Sequence, residues 1–263
     1  MKGLLIISVP KSGTMFLSNY LGAVTGYQSV FGLPCESPQA MLSQIPGEPS
    51  ELIGRHLAPD SPTPERMVKK YIMMINRNRT RKRTRQPEVS EKTIITDHGF
   101  DNFLVFLRNP DKAGIISPKD IVAMAKKMDM GVLYLYREID DIVNSFAHFI
   151  ASKRSYLITI DSLEAAREIA VKEYAGVLAR HIERWKHEFD QGLILKYEQL
   201  NEDTRGSIQM ICDRYGLPYE KDKLISNMKD FRAWTFRKGT TNDSKKDLSL
   251  DHREYLQHRF GLK

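Results

Sequence analysis

Residues 3–9, GLLIISV, form an almost wholly apolar run, and the polar turn Pro10-Lys11-Ser12-Gly13-Thr14 follows it without a spacer. A short apolar run without alternation is the pattern of a central parallel strand covered on both faces. Past the turn, Phe16, Leu17, Tyr20, Leu21 and Val24 recur at helical spacing, and Gly26 stands where a C-cap is expected. The unit is strand, tight polar turn, helix.

The same unit recurs along the chain. GVLYLY at 131–136 and GLILKY at 192–197 read as buried strands, and TIIT at 93–96 as a shorter one. Helices are expected at about 64–75, 117–129, 139–151, 204–215, 220–229 and 249–260. Ser117, Pro118 and Asp120 supply a cap, a first-turn proline and a first-turn acid. A longer amphipathic helix over 162–189 turns Leu163, Ala166, Ala170, Tyr174, Val177, Ile182, Trp185 and Phe189 inward. Residues 31–64 read as mostly loop and 236–248 as a polar loop, and 100–117 is an insert, a hairpin or irregular. Strands alternating with helices give an α/β fold: a central parallel β-sheet flanked by helices, in one domain over 1–263. Ligands of such sheets bind beyond the carboxyl ends of the strands, so the polar turns that follow the strands are expected on one rim.

Composition excludes several classes. The 263 residues are 41% hydrophobic and 28% charged, which is globular rather than disordered. Two cysteines, Cys35 and Cys212, allow no disulfide framework, and without a clustered His/Cys set they build no structural zinc site. No segment approaches the roughly 18–20 apolar residues of a membrane span. The cysteine count and the early core strand make the cytoplasm the expected location. The net charge of +7 suggests an anionic ligand or partner. Residues 77–85, RNRTRKRTR, carry six positive charges in nine positions and read as a solvated basic loop. Nucleic-acid binding is the competing reading of that run, but no aromatic residue is interleaved with the charges.

The first turn has the chemistry of an oxyanion cradle. Gly13 admits a close backbone approach, the first helical N–H groups point at the anion, Lys11 adds a charge and Thr14 a hydroxyl. It is not a Walker A loop, which places Lys after its second Gly, whereas Lys11 precedes Gly13 by two residues. That weakens a kinase reading.

Pro10-Lys11-Ser12-Gly13-Thr14 resembles the PKSGT sequence that opens sulfotransferases using 3′-phosphoadenosine 5′-phosphosulfate. LYLYREIDDIVNSFAHF at 133–149 resembles the family's strand followed by Arg and, eight positions later, Ser; here these are Arg137 and Ser145. Arg-Asn-Pro is the commoner family start, and Leu107-Arg108-Asn109-Pro110 imitates it without the Ser or a good preceding strand. Arg237-Lys238-Gly239, with Asp243 and Lys245, is similar to the family's RKGxxGDWKN loop; Asn242, Ser244 and Lys246 depart from it. Leu195 to Leu200 looks like the family's strand-end Tyr-Glu-Asp-Leu, with Tyr197 as the Tyr.

The resemblance implies a P-loop-like sulfotransferase fold and a sulfonate donor whose product is adenosine 3′,5′-bisphosphate. It implies no required metal. It assigns the donor to Lys11, Ser12, Gly13, Thr14, Met15, Phe16, Arg137, Ser145, Tyr197, Arg237, Lys238 and Gly239, with Phe16 and Tyr197 near the base. The competing reading makes Phe16 and Tyr197 core residues and pairs Arg137 with Asp140 or Asp141. The acceptor is expected to be a small molecule, such as a specialised metabolite, and the oligomeric state is left open.

Transfer to a hydroxyl wants a base, for which histidine is suited, its ordinary pKa setting a rate loss below roughly pH 6.5. His98, just past the strand at 93–96 and beside Asp97, is favoured over His56 in Ile53-Gly54-Arg55-His56-Leu57-Ala58-Pro59. Lys11 is the expected catalytic cation.

Overall fold

Strand β1 (Gly3–Ser8) is buried along its whole length because it has a partner on each side. In the computed structural model, which describes residues 1–31, 55, 92–101, 106–107, 109–152, 160–231 and 244–261, five parallel strands form one sheet. These are β1, β2 (Gln28–Phe31), β3 (Thr93–Asp97), β4 (Met130–Tyr136) and β5 (Leu193–Lys196), in the order β2-β3-β1-β4-β5. The register sets Ile7 opposite Asp97 and Ser8 opposite Leu135, so the carboxyl ends of β1, β3 and β4 finish side by side.

Alternation along the strands divides the core in two. Leu5 and Ile7 of β1, with Val132 and Tyr134 of β4, pack beneath α2 (Pro118–Lys127), α3 (Ile139–Ile150), α4 (Leu163–Ile169) and α5 (Ala175–Glu188). Leu4, Ile6, Leu133 and Leu135 face the other way, against α1 (Thr14–Thr25), α6 (Tyr197–Glu202) and α7 (Thr204–Tyr215). With helices on both faces, neither face of the sheet is left to water, which is why the strands read as continuous apolar runs. Cys212 is buried in the second layer.

Most elements follow the sequence, including the cap at Gly26. Three differ. The 162–189 helix is interrupted by a π-helical turn, Ala170–Tyr174, which carries Tyr174 to donate its hydroxyl to the Leu107 carbonyl. The helix expected at 220–229 is two 3-10 turns, Lys221–Lys223 and Met228–Asp230. There the Asn227 side chain accepts from Lys229 N, and Ile225 N donates 2.5 Å to the Tyr20 hydroxyl, so local and tertiary bonds replace the helical ladder. Finally, β2 is a strand over residues 28–31, of which 28–30 carried no expected element and 31 opened the expected loop. Among the described residues, two short helices close the chain, α8 (Ser244–Asp247) and α9 (Leu250–Phe260). An isolated antiparallel bridge joins Phe100 and Ile115 within the expected 100–117 insert.

Tyr215 clasps β4 to β5: its hydroxyl donates to the Val132 carbonyl and accepts 2.9 Å from Leu193 N. Tyr215→Phe leaves two strand-edge backbone groups without that partner, at a cost of about 1–3 kcal/mol. Thermal melting should show a loss of roughly 2–4 °C for each of those kcal/mol. An unchanged midpoint would remove the clasp from the account.

Candidate functional site at the carboxyl rim

The turn after β1 is held from below by Ser12. Its hydroxyl donates to the Val9 carbonyl at 2.6 Å and to the Leu135 carbonyl at 3.3 Å, fastening the turn to β1 and β4. That inward side chain shapes the loop. Gly13 caps α1 at φ +88°, and a Cβ there would stand 2.7 Å from the Tyr197 ring, so glycine is required by conformation and by space. Lys11 also takes a left-handed conformation, φ +70°, which a long side chain adopts at a cost. The first turn of α1 has neither an acidic residue nor a side-chain cap, so the N–H groups of Thr14, Met15 and Phe16 suit an anion. The Lys11 ammonium lies 4.9 Å from the centroid of the half-buried Phe149 ring on α3.

Arg137 leaves the end of β4 and is 8% exposed. Its guanidinium meets Asp141 at 3.2 Å and Glu198 at 3.9 Å, and lies 4.4 Å from the centroid of the Tyr197 ring. The ion pair with Asp141 that the sequence offered as an alternative is thus present, but buried. It does not remove Arg137 from the rim, because Tyr197 connects it to Gly13. Asp141 also accepts from Ser244 N at 3.1 Å, and Asp140 from the Ser244 hydroxyl at 2.9 Å. Asn144 donates 3.1 Å to Asp247. Helix α3 therefore docks the segment that follows the 237–239 motif. Ser145 sits on α3 two turns beyond Arg137 and is partly open.

His98 follows β3 and joins the same place. Its Nδ1 is 3.1 Å from the Ser8 carbonyl and 3.3 Å from the Ser8 hydroxyl, which in turn lies 2.5 Å from the Thr14 hydroxyl. A carbonyl only accepts, so Nδ1 carries the hydrogen and Nε2 keeps its lone pair. Desolvation pulls the His98 pKa down to about 4, opposed by the Ser8 carbonyl and aided by Lys11, although the residue as a whole is only half-buried. The resting ring is neutral. Asp97 accepts 2.8 Å from Gly99 N and so tightens the turn behind His98.

Lys11, Gly13, Thr14, Arg137, Tyr197 and His98 come together on this rim. Phe16 packs against Tyr20 and Phe231, with ring centroids at 5.6 and 5.9 Å. His56, Arg108, Arg237, Lys238, Gly239 and the basic run 77–85 lie outside the described residues. Ser8, Glu198 and Phe149 were not singled out from the sequence, and Asp141 only as an alternative partner of Arg137. Ser8 had a signal, since it is the one polar side chain in the GLLIISV run. Among the described residues no group of three or more His, Cys, Asp or Glu side chains could hold a metal ion. None of their helices is long and apolar enough to cross a membrane.

A family model, Sulfotransferase domain, matches residues 2–261. Sulfotransferase 2A2 of Rattus norvegicus is 33% identical over 159 residues, which cover 50% of this chain and 55% of the relative. Sulfotransferase 2A6 of the same organism is 30% identical over 159 residues, covering 50% and 56%. The chain thus matches about half the length of these curated relatives. Mouse sulfotransferase SULT7A1, complexed with PAP, superposes with a TM-score of 0.56 at 15% identity, over 100% of this chain and 85% of that one. Retinol dehydratase in a complex with retinol and PAP gives 0.54 at 15% identity, over 98% and 79%. The sheet order and its flanking helices are those of the P-loop-like fold of these structures.

The rim histidines make stability depend on pH. His98 is lowered from 6.5 to about 4, and the buried His181 on α5 to about 3, mainly by desolvation. Below the ordinary histidine value the unfolded chain binds protons that the folded chain refuses. Their contribution is complete above about pH 6.5 and is lost as pH falls toward about 4 and about 3. Urea midpoints should decline between roughly pH 7 and 5, above the range where most carboxylates titrate. His181→Phe should flatten that decline, and a flat wild-type profile would contradict the burial of both rings.

Proposed function

The chain belongs to the sulfotransferase domain family, and from that premise we propose that it moves a sulfonate group from 3′-phosphoadenosine 5′-phosphosulfate to a hydroxyl of a small-molecule acceptor. The observation that carries the reading is the meeting of a cation, a neutral imidazole and a buried guanidinium at the ends of β1, β3 and β4. We read 1–263 as one such domain acting in the cytoplasm, which the low cysteine count supports.

The residues fit the donor. The uncapped start of α1, the space kept open by Gly13, and Lys11 suit its 5′-phosphosulfate. Arg137 and Ser145, with Arg237, Lys238 and Gly239 from outside the described residues, are the proposed 3′-phosphate ligands; Ser12, Met15, Phe16 and Tyr197 shape the nucleotide end. The donor supplies an activated S–O bond and a phosphate leaving group. Lys11 neutralises the charge that grows on that leaving oxygen. His98, fixed through Nδ1 on Ser8, presents Nε2 to take the acceptor proton as the hydroxyl oxygen bonds to sulfur. The Phe149 ring beside Lys11 favours an acceptor with an apolar body, as many specialised metabolites have.

Adenosine 3′,5′-bisphosphate should raise the melting temperature, and AMP much less, because charge-assisted hydrogen bonds to the 3′-phosphate contribute about 1.5–3 kcal/mol each. Arg137→Ala should remove most of that difference. Equal stabilisation by ATP with Mg²⁺ would falsify the reading and favour a phosphoryl-transfer protein.

Turnover tests the two catalytic side chains. Lys11→Ala should lower kcat more than it weakens bisphosphate binding, since the charge it meets grows as the S–O bond breaks. His98→Ala should cost about 10²–10⁴-fold in kcat with donor binding retained. The acid limb, which an ordinary histidine sets near pH 6.5, should lie lower, toward the resting value of about 4. A fully active His98→Ala protein would move the base to the segment around His56.

A further inference from the structure

Beneath His98 lies a second histidine that the proposed chemistry does not use. His181, on α5, is 0% exposed, and its Nδ1 is 3.0 Å from the hydroxyl of Tyr134, itself 0% exposed, on β4. The pair is wedged in an aromatic stack: Tyr134 lies 4.8 Å from Trp185, and His181 5.1 Å from Phe100, between ring centroids. Burial pushes the Tyr134 hydroxyl well above its ordinary range, so it keeps its proton and can donate it to Nδ1. A neutral ring that accepts at Nδ1 carries its hydrogen on Nε2.

That Nε2 points under the turn that follows His98. A Cβ built on Gly99 would stand 2.9 Å from Nε2 and 2.9 Å from Ile7 Cγ2, and Gly99 has φ +66°. The His98 backbone lies close enough to the His181 ring to favour its protonated form, although Nε2 makes no hydrogen bond within the described residues. Gly99 is held on its other sides by Asp97 Oδ1 on its N–H at 2.8 Å and by Ile116 N donating to its carbonyl at 2.9 Å. The turn is thus restrained from above by Ser8, along the chain by Asp97, from the insert by Ile116, and from below by His181.

We propose that Tyr134 and His181 form a buried support that sets the position of His98, with His181 a positioning residue for the base and not a participant in proton transfer. The proposal rests on the reading of His98 as that base. A purely apolar filler would occupy the space equally well, whereas a donor–acceptor ring oriented by a tyrosine hydroxyl also fixes which atom faces the backbone. The charged and titratable groups around the two rings are Lys11 and Asp97 near His98, and Arg184 near His181.

The experiment combines kinetics with NMR titration of the His98 ring in His181→Phe, His181→Gln and Tyr134→Phe. His181→Phe keeps the ring volume and removes both nitrogens; it is expected to lower kcat at least tenfold, leave adenosine 3′,5′-bisphosphate affinity within about twofold, and move the His98 titration toward ordinary histidine values. His181→Gln, which restores a donor near Nε2, should recover part of kcat. Tyr134→Phe gives a milder change in the same direction should His181→Phe fail to fold. Wild-type kcat and an unmoved His98 titration in the folded variants, alongside an inactive His98→Ala protein, overturn the proposal. An active His98→Ala protein instead removes the base reading, and the titration alone then decides whether His181 positions His98.

Discussion

Burial of β1 between β3 and β4 decides where each polar turn of the rim begins. The register ends all three strands at one level, and Ser8 is the residue at which they meet. Its hydroxyl faces Thr14 from the first helix and His98 from the end of β3, and its carbonyl takes the His98 Nδ1 contact at 3.1 Å. One side chain therefore ties the turn after β1 to the neighbouring imidazole. In an apolar strand covered on both faces, an unsatisfied hydroxyl costs about as much as a lost hydrogen bond. Ser8 is stable there because both neighbouring segments supply polar atoms, and this mutual requirement keeps the loop and His98 in one arrangement.

Arg137 shows the same logic with a full charge. A guanidinium that is 8% exposed needs compensation before any ligand arrives, and Asp141, Glu198 and the Tyr197 ring provide it. An anion reaching Arg137 must compete with two carboxylates already in place. Weak monoanions are poorly matched to that contest, whereas a phosphate dianion with several acceptor oxygens is well matched. Asp141 also holds Ser244, so the side chain that balances Arg137 also fixes the first described residue after the basic 237–239 motif.

The strands and most helices were legible because apolar run length and helical periodicity are local properties. β1, β4 and β5 are nearly continuous hydrophobic segments, and Ser117-Pro118 marks the start of α2. β2 was not legible: QSVF is short, opens on two polar residues, and among the described residues pairs with β3 alone. The 220–229 segment has helical composition, but Tyr20, from far earlier in the chain, captures the Ile225 amide. At the site, residue types at strand ends pointed to Lys11, Arg137 and His98. What sequence could not supply was their surroundings. Nothing local to His98 announces that Ser8 takes its Nδ1 hydrogen, or that Tyr134 and His181, 36 and 83 residues further on, lie beneath its turn.

Lys11 and His98 make opposing electrostatic demands. A cation close enough to be felt by an imidazole weakens it as a base, and Lys11 does lower the His98 pKa. A resting pair of this kind holds the ring neutral with its Nε2 lone pair free of a proton, and also keeps that lone pair a poor proton acceptor. An anion seated against Lys11 offsets that contribution, while desolvation, the largest cause of the lowered pKa, stays in place. In the proposed reaction that anion is the donor itself, so its arrival eases the Lys11 contribution while burial still holds the His98 pKa below the ordinary histidine value.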